Sequence, residues 1–311
     1  MSHSAGAASG PPSGAGLARA PIDLSRKARP AESVIKAVLM GSAMLSVLIT
    51  FGIVAALIEP VTHFFGQVAV GDFFGTKGQY AVLPLIGGTL MTTFIALLVA
   101  VPLGLGAAMY LSEYAGKRAR KALKPTLELL AGVPSVVYGF FALSFVTPTL
   151  LQDILGLKVN FTNALSAGLV LGVMIVPTVA SLSEDALSAV PQSMRQGSLA
   201  MGANRMQTTL RVVLPAALSG VAAAVVLGLS RAVGETMIVA LAAGAQKNLS
   251  LDPREGMQTM TGFIAQTAGG ENPVGSVDYN MLFAVGLLLF LITLVINAIS
   301  ISFVRRFRQA Y

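Results

Sequence analysis

Six stretches of the chain are long and apolar enough to cross a bilayer as helices: 37–58, 87–111, 126–149, 164–182, 216–244 and 281–304. About 20 apolar helical residues span a hydrocarbon core. The third and fifth runs are the least uniform, being broken by Gly, Pro or charge. This pattern predicts an all-α polytopic membrane protein with six transmembrane helices. Composition agrees: 54% of residues are hydrophobic and only 11% charged. A soluble domain carries about 25% charged residues, so a water-facing globule is excluded. The mean hydropathy is +0.75.

The net charge of +7 would suggest nucleic acid in a soluble protein, but the basic residues sort by loop. Arg19, Arg26, Lys27, Arg29 and Lys36 precede the first run. Lys117, Arg118, Arg120, Lys121 and Lys124 lie in the second connection. Arg195, Arg205 and Arg211 lie in the fourth, and Arg305, Arg306 and Arg308 in the tail. The opposite side holds only Lys77, Lys158, Lys247 and Arg254. The positive-inside rule then places both termini and the second and fourth connections in the cytoplasm of a multi-pass plasma (inner) membrane protein. The charge is topological, and no nucleic-acid partner is implied.

Residues 1–33, rich in Gly, Ala, Ser and Pro, read as a disordered cytoplasmic arm. They are not a signal peptide, because the following apolar run exceeds the length of an h-region. Residues 34–311 form the membrane domain. The first outer loop, 59–86, carries Phe64, Phe65, Phe73, Phe74 and Tyr80, which suit the headgroup level. In the fifth connection, 257–267 reads as a short interfacial helix.

The connection 183–215 is too long for a plain link between helices. Leu199, Ala203, Met206, Leu210 and Val213 recur at helical spacing, giving one apolar stripe with Arg195, Arg205 and Arg211 off it. Gly202 offers a turn between two short helices. Two readings follow: an amphipathic helix on the membrane surface, or a helix presented to a cytoplasmic partner.

At this segment the chain resembles a family. Gln196-Gly-Ser-Leu-Ala-Met-Gly202, nine residues, then Val212-Val-Leu214-Pro215 is similar to the EAA motif of ABC-importer permeases, E-A-A, three residues, G, nine residues, I-x-L-P. The acidic opening is replaced by Gln196. Gly132-Val-Pro-Ser-Val-Val-Tyr-Gly139, Arg231-Ala-Val-Gly-Glu235-Thr-Met-Ile and Gly87-Gly-Thr-Leu resemble signatures of the Pst phosphate permeases. Thr236-Met237 and Ile296-Asn297 are more like the PstC branch than PstA. The resemblance implies the type I ABC-importer permease architecture. It implies a companion PstA-like permease, two PstB-like ATPase subunits carrying ATP and Mg, and an external PstS-like phosphate-binding protein. ATPase coupling would fall to Gln196, Gly202, Val212, Leu214 and Pro215. The alternatives are a permease for molybdate or sulfate, or a gradient-driven carrier.

Arg231 and Glu235 lie inside the fifth run at i, i+4, one helix face. A charge at that depth costs about 2.5–3.5 kcal/mol on insertion scales. The pair is either a self-neutralising salt bridge or a polar face on the substrate pathway, with Glu235 holding Arg231 until an anion arrives. Arginine suits phosphate because its planar fork donates paired hydrogen bonds and stays charged. The fifth run is 29 residues, about 43 Å as a helix, so it must tilt, project or break. A break near Gly234 would expose backbone N–H groups beside Arg231. Otherwise Gly228, Gly234 and Gly244 serve close packing. Thr236 joins the same candidate pathway. Pro134 should kink the third run, where Ser135 and Tyr138 either line the pathway or, in Ser135's case, satisfy a freed carbonyl. Pro177 has the same two readings with less support.

The chain has no Cys and only two His, which argues against disulfides, thiol nucleophiles and His-rich metal sites. The ATPase loop G-x-x-x-x-G-K-[ST] is absent; Gly116-Lys117 is followed by Arg118. No catalytic constellation and no cofactor site is read in this chain, and energy must come from a gradient or a partner subunit.

Overall fold

The computed structural model describes residues 30–306, with side-chain environments between 33 and 302. The described residues form helices and turns, with no strand among them. In chain order the helices are α1 (Pro30–Phe65), α2 (Val70–Phe73), α3 (Leu83–Met109), α4 (Lys117–Ala131), α5 (Ser135–Phe141), α6 (Ala164–Ser188), α7 (Gln192–Ala200), α8 (Arg205–Thr208), α9 (Leu214–Ala216), α10 (Leu218–Val233), α11 (Met237–Ala242), α12 (Met260–Ala268) and α13 (Val277–Arg306). Wider turns, of the i→i+5 kind, extend α3 through Tyr114 and α5 through Ile154, and join α8 to α9. Most of the N-terminal arm expected over 1–33, and Arg308 of the tail, lie outside the described residues.

Five helical segments are long and apolar enough to span a membrane: Ser33–Phe65, Leu83–Tyr114, Ser135–Ile154, Ala164–Ser188 and Val277–Ser302. A sixth, ending in α10, is a pair bent by 72° between Ala216 and Leu218. The chain divides into two compact units, one up to Gly52 and one from Ile53. The described part of the first is helical, and its Val38, Leu45, Leu48 and Phe51 are exposed, as lipid-facing residues are.

The second unit is built on α3 and α6. They approach closely because α6 offers glycine at the crossing. A Cβ on Gly168 would stand 2.6 Å from the Ile95 Cβ, and one on Gly172 2.8 Å from the Ala96 carbonyl oxygen. Small residues are what let membrane helices pack backbone to backbone. Leu171, Ile175 and Val179 of α6 then bury with Ala96 and with Ile238 of α11 as the central core. Pro177 is accommodated inside a continuous α6.

Four sequence expectations are corrected. The third run does not begin at 126: α4 ends at Ala131, Gly132–Pro134 breaks the chain, and the apolar span is Ser135–Ile154. Proline at 134 removes a helical donor and restricts the residue before it, so the result is a break rather than a kink. Phe74 is exposed, but the outer-loop aromatics as a group do not face outward as a headgroup belt would. Phe64 and Phe73 are buried, with ring centroids 5.5 Å apart, and Phe65 and Tyr80 meet Phe64 edge-on. The segment near 257–267 does contain a short helix, α12, but its Met260 and Phe263, with Met257 before it, are buried in the protein, so that face does not meet lipid. Finally, the stripe from Leu199 to Val213 is not one helix, as described below.

Candidate functional site: a broken span and its coupling end

α10 stops at Val233. The Gly234 and Glu235 N–H groups donate back to the Ser230 and Ala232 carbonyls at 3.2 and 3.3 Å, and α11 starts at Met237 after three intervening residues. The intervening Gly234 has poor helix propensity. Glu235 then closes the break: its carboxylate accepts from the N–H groups of Met237 and Ile238 at 3.1 and 3.3 Å. A carboxylate at the first turn of a helix satisfies donors that have no intrahelical partner. The Thr261 hydroxyl of α12 donates to the Glu235 carbonyl at 2.6 Å, and Thr236 Oγ1 donates to the Gly234 carbonyl at 3.3 Å.

Two readings change in consequence. The break separates Arg231 from Glu235, so the i, i+4 relation is lost, and no ion pair joins them. Of the N–H groups at the break, those of Gly234 and Glu235 go to the Ser230 and Ala232 carbonyls and those of Met237 and Ile238 to the Glu235 carboxylate, rather than standing open beside Arg231. Arg231 is exposed, and its hydrogen bond is a long one, 3.3 Å from Nη1 to Thr178 Oγ1 on α6. It is a guanidinium in a candidate span with most of its donors uncommitted.

The three glycines of this region do three different jobs. Gly228 is a packing residue, where a Cβ would sit 3.0 Å from the Val179 Cγ2. Gly234 marks the break. Gly244 has φ +109°, a conformation L side chains rarely adopt, and so turns the chain after α11.

The other signatures surround this break. Gly139 of α5 lies against α11, with a Cβ there 2.8 Å from Leu241 Cδ1 and 3.3 Å from the Met237 carbonyl oxygen. Gly88 of α3 lets the Gln258 carbonyl approach to 2.5 Å of where a Cβ would be. Thr89 accepts the Met260 N–H at 3.0 Å, holding the start of α12. Tyr138, not Ser135, returns to the broken third run, donating from its hydroxyl to the Leu130 carbonyl at 3.1 Å. Ser135 and Tyr138 are half-buried and make no hydrogen bond to Arg231 or Glu235.

At the other end of the spans, 183–215 is a helix–turn–helix. α6 runs on to Ser188, α7 follows, and Gly202 turns at φ +86°. Asn204 then opens α8 with a reciprocal cap: its side chain accepts from Gln207 N–H at 2.8 Å and Gln207 accepts from Asn204 N–H at 3.0 Å. The turn divides the apolar stripe. Leu199, Met201, Met206 and Leu210 protrude, while Val213 is fully buried. Gln196, Gly202 and Pro215 are exposed, and Val212 and Leu214 half-buried.

Arg195, on the buried side of α7, ties this segment to two spans. Its Nη2 and Nε donate to Glu113 Oε1 at 2.9 and 3.1 Å, where Glu113 lies at the end of the extended α3. The same guanidinium donates to the Leu187 carbonyl at 2.7 Å and to the Val190 carbonyl. The two side chains are 10% and 12% exposed. Beside them Glu184 of α6 is fully buried, accepting from Arg120, from Lys124 at 2.7 Å and from Ser188 at 2.9 Å. Lys124 also donates to Asp185 at 2.7 Å. The hydrogen bonds to Asp185 and then Glu184 raise the Lys124 pKa above its ordinary 10.5, so the clamp of α4 on α6 stays charged.

Sequence reasoning missed Glu113, Glu184 and Asp185, and treated Arg195 and Arg120 only as topological charge. The available signal was acidic residues at the ends of apolar runs that adjoin the basic segments.

With this geometry in hand, the chain matches the model of the binding-protein-dependent transport system inner membrane component over residues 100–310. It belongs to that family of membrane proteins. It is 39% identical over 265 residues to "Phosphate transport system permease protein PstC 1" of Mycobacterium tuberculosis, covering 78% of each chain. It is 41% identical over 228 residues to "Probable ABC transporter permease protein YqgH" of Bacillus subtilis, covering 71% of this chain and 72% of that one. The PstC of Haemophilus influenzae is 31% identical over 270 residues, covering 81% and 84%. In fold, the chain superposes with TM-score 0.64 and 17% identity on a bacterial ABC transporter involved in the import of the acidic polysaccharide alginate, covering 91% of this chain and 100% of that one. For the methionine ABC transporter MetNI the TM-score is 0.54 at 21% identity, covering 73% and 94%.

Proposed function

We propose that the chain is the PstC-type permease subunit of an ATP-driven importer of inorganic phosphate. It lies in the inner membrane with both termini cytoplasmic. It forms the pathway with a second, PstA-like permease. ATP and Mg bind to two PstB-like ATPase subunits, and a PstS-like protein delivers phosphate from outside. The relatives named as PstC support the cargo and the subunit.

The observation that carries the reading is Arg231, an arginine without a carboxylate partner beside a break in the fifth span. A guanidinium at the depth of a membrane span is costly unless water or something anionic meets it. Its fork donates to two oxygens of a tetrahedral anion, and its charge does not titrate. Glu235 keeps α11 capped while Arg231 is free, and its nearby negative charge opposes overly tight retention of the anion. The protruding Leu199, Met201, Met206 and Leu210 form the face offered to the ATPase. Arg195 and Glu113 carry its displacement into the spans.

The test is ATP-dependent uptake by the reconstituted four-component complex, comparing phosphate, arsenate, sulfate and molybdate. Phosphate and arsenate should be taken up and the other two excluded. Preference for molybdate or sulfate overturns the cargo, and uptake without the ATPase overturns the energy source.

A further inference from the structure

Beyond the break, a concavity of about 440 Å³ opens between the first outer loop, the segment after α11 and α12. Gln79, Lys247, Gln258, Phe263, Gln266 and Asn272 line it, and no carboxylate does. Lys247 is half-buried. Its ammonium donates to the Gln79 carbonyl and stands 4.8 Å from the centre of the Phe263 ring. It forms no ion pair among the described residues. The acid that acts on it at longer range is Asp278, which accepts from the Gln79 amide at 2.8 Å and makes no ion pair with Lys247. Burial pushes the Lys247 pKa down from 10.5, the sign of a cation short of counter-charge.

The amides add donors of the right kind. Gln258 donates to Gln266 Oε1 at 2.7 Å, Gln266 to the Ala240 carbonyl at 3.3 Å, and Asn272 to the Thr267 carbonyl at 3.2 Å. Each amide nitrogen carries two hydrogens, so each keeps one in reserve. A half-buried ammonium without a direct ion pair and spare N–H groups, with no acid in the wall, favour an acceptor-only ligand of negative charge.

We propose that this cavity is a second, outer anion site that holds a small tetrahedral oxyanion before it reaches Arg231. The proposal rests on the import reading for its direction of travel. α12 couples the two places: it supplies Phe263 and Gln266 to the cavity and Thr261 to the Glu235 carbonyl at the break. The donors line a concavity, so a free ion reaches more of them than a carboxylate fixed to another protein's surface.

The experiment uses the purified transporter complex in detergent without its binding protein. Wild-type protein is acetylated with and without inorganic phosphate, and the extent at each lysine is read by mass spectrometry. Phosphate should protect Lys247 several-fold while Lys77 and Lys158 react as before; equal labelling of Lys247 overturns the site. In parallel, phosphate binding is measured by equilibrium dialysis. Lys247→Met should weaken it at least tenfold, Lys247→Arg should restore it, and Arg231→Gln should leave the Lys247 protection unchanged. Protection that disappears in Arg231→Gln overturns a separate site. Unchanged phosphate binding by Lys247→Met, with weaker docking of the binding protein, would instead assign the surface to a protein carboxylate. If the wild-type complex transports no phosphate but sulfate or molybdate protects Lys247, the cargo fails and the site stands.

Discussion

The two charged regions of this membrane domain are built on opposite rules. At the end of the spans that carries α7, Arg195 meets Glu113 with three hydrogen bonds and caps two carbonyls, and Glu184 is surrounded by Arg120, Lys124 and Ser188. At the break in the fifth span, Arg231 has a single long bond to a hydroxyl, and the carboxylate that could pair with it faces backbone N–H groups. A satisfied guanidinium fixes elements against one another. An unsatisfied one is available to something else. The same residue type is therefore committed to protein partners at one end and left with open donors at the other.

The comparison predicts its largest effect at Arg195. Removing one member of a buried ion pair leaves the other uncompensated, at a cost of about 3–5 kcal/mol. Arg195→Ala should therefore lower the unfolding midpoint of the solubilised protein sharply. The double change Arg195→Met with Glu113→Leu should recover most of the loss, since apolar groups can replace such a pair. If the single change is as stable as wild type, this pair does not lock the coupling segment.

Arg231 should behave the other way round. Arg231→Gln removes no ion pair, so the thermal midpoint should stay within about 1 kcal/mol of wild type. Uptake should fall about 100-fold, as expected when about 3 kcal/mol of charge-assisted bonding to the anion is lost. The variant Arg231→Met with Glu235→Gln should co-purify with its ATPase and still not transport. Near-normal phosphate uptake by that double variant would remove Arg231 from the pathway and erase the contrast between the two regions.

Much of this was legible in the chain because bilayer crossing is a local property. Five of the six apolar runs mark spans that coincide in large part with the observed segments, and the length of the fifth already called for a tilt, a projection or a break. The third was displaced because Leu127, Leu129 and Leu130 continue the apolar run across Gly132–Pro134, where the helix stops. Periodicity linked Leu199 to Val213 because a stripe count runs straight through Gly202, whereas the glycine itself marked the turn between two short helices that is observed there. The Arg195–Glu113 and Arg120–Glu184 pairs were beyond reach. Their members are 82 and 64 positions apart, and no local pattern connects them. The role of Glu235 as a cap depended on the break itself, which spacing alone had left open.

Gly202 tests the exposed tip of the Arg195 region with a smaller effect. Its φ of +86° is disfavoured for any residue with a Cβ by about 1–2 kcal/mol. No neighbour lies within 4 Å of where that Cβ would be, so the cost is conformational rather than steric within this chain. Gly202→Ala should slightly lower stimulated ATPase activity. Gly202→Arg adds bulk at the tip beside Met201, and should abolish co-purification of the ATPase while membrane insertion is retained. Normal ATPase stimulation in Gly202→Arg would place the docking contact elsewhere on 192–216.

The smallest effect is expected at Glu235, and it sharpens the comparison most. If Glu235 were a counter-ion of Arg231, neutralising it would strand a cation, and Glu235→Gln would destabilise the protein as Arg195→Ala does. The geometry says otherwise: its carboxylate oxygen accepts from Met237 and Ile238, and a glutamine carbonyl oxygen can accept from the same groups. Glu235→Gln should therefore keep α11 in place and lose only the dipole contribution, about 0.3–1 kcal/mol. Glu235→Ala should cost about 1 kcal/mol, as the loss of a capping side chain does. Hydrogen exchange at the amides of Met237 and Ile238 reads this directly: protection should persist in the glutamine variant and fall in the alanine variant. In transport, Glu235→Gln removes the charge that opposes retention of the anion beside Arg231, so phosphate should bind more tightly and leave more slowly. Faster exchange at both amides in Glu235→Gln, with a large drop in the unfolding midpoint, would show that the charge itself was needed, and Arg231 would then join Arg195 as a structural residue.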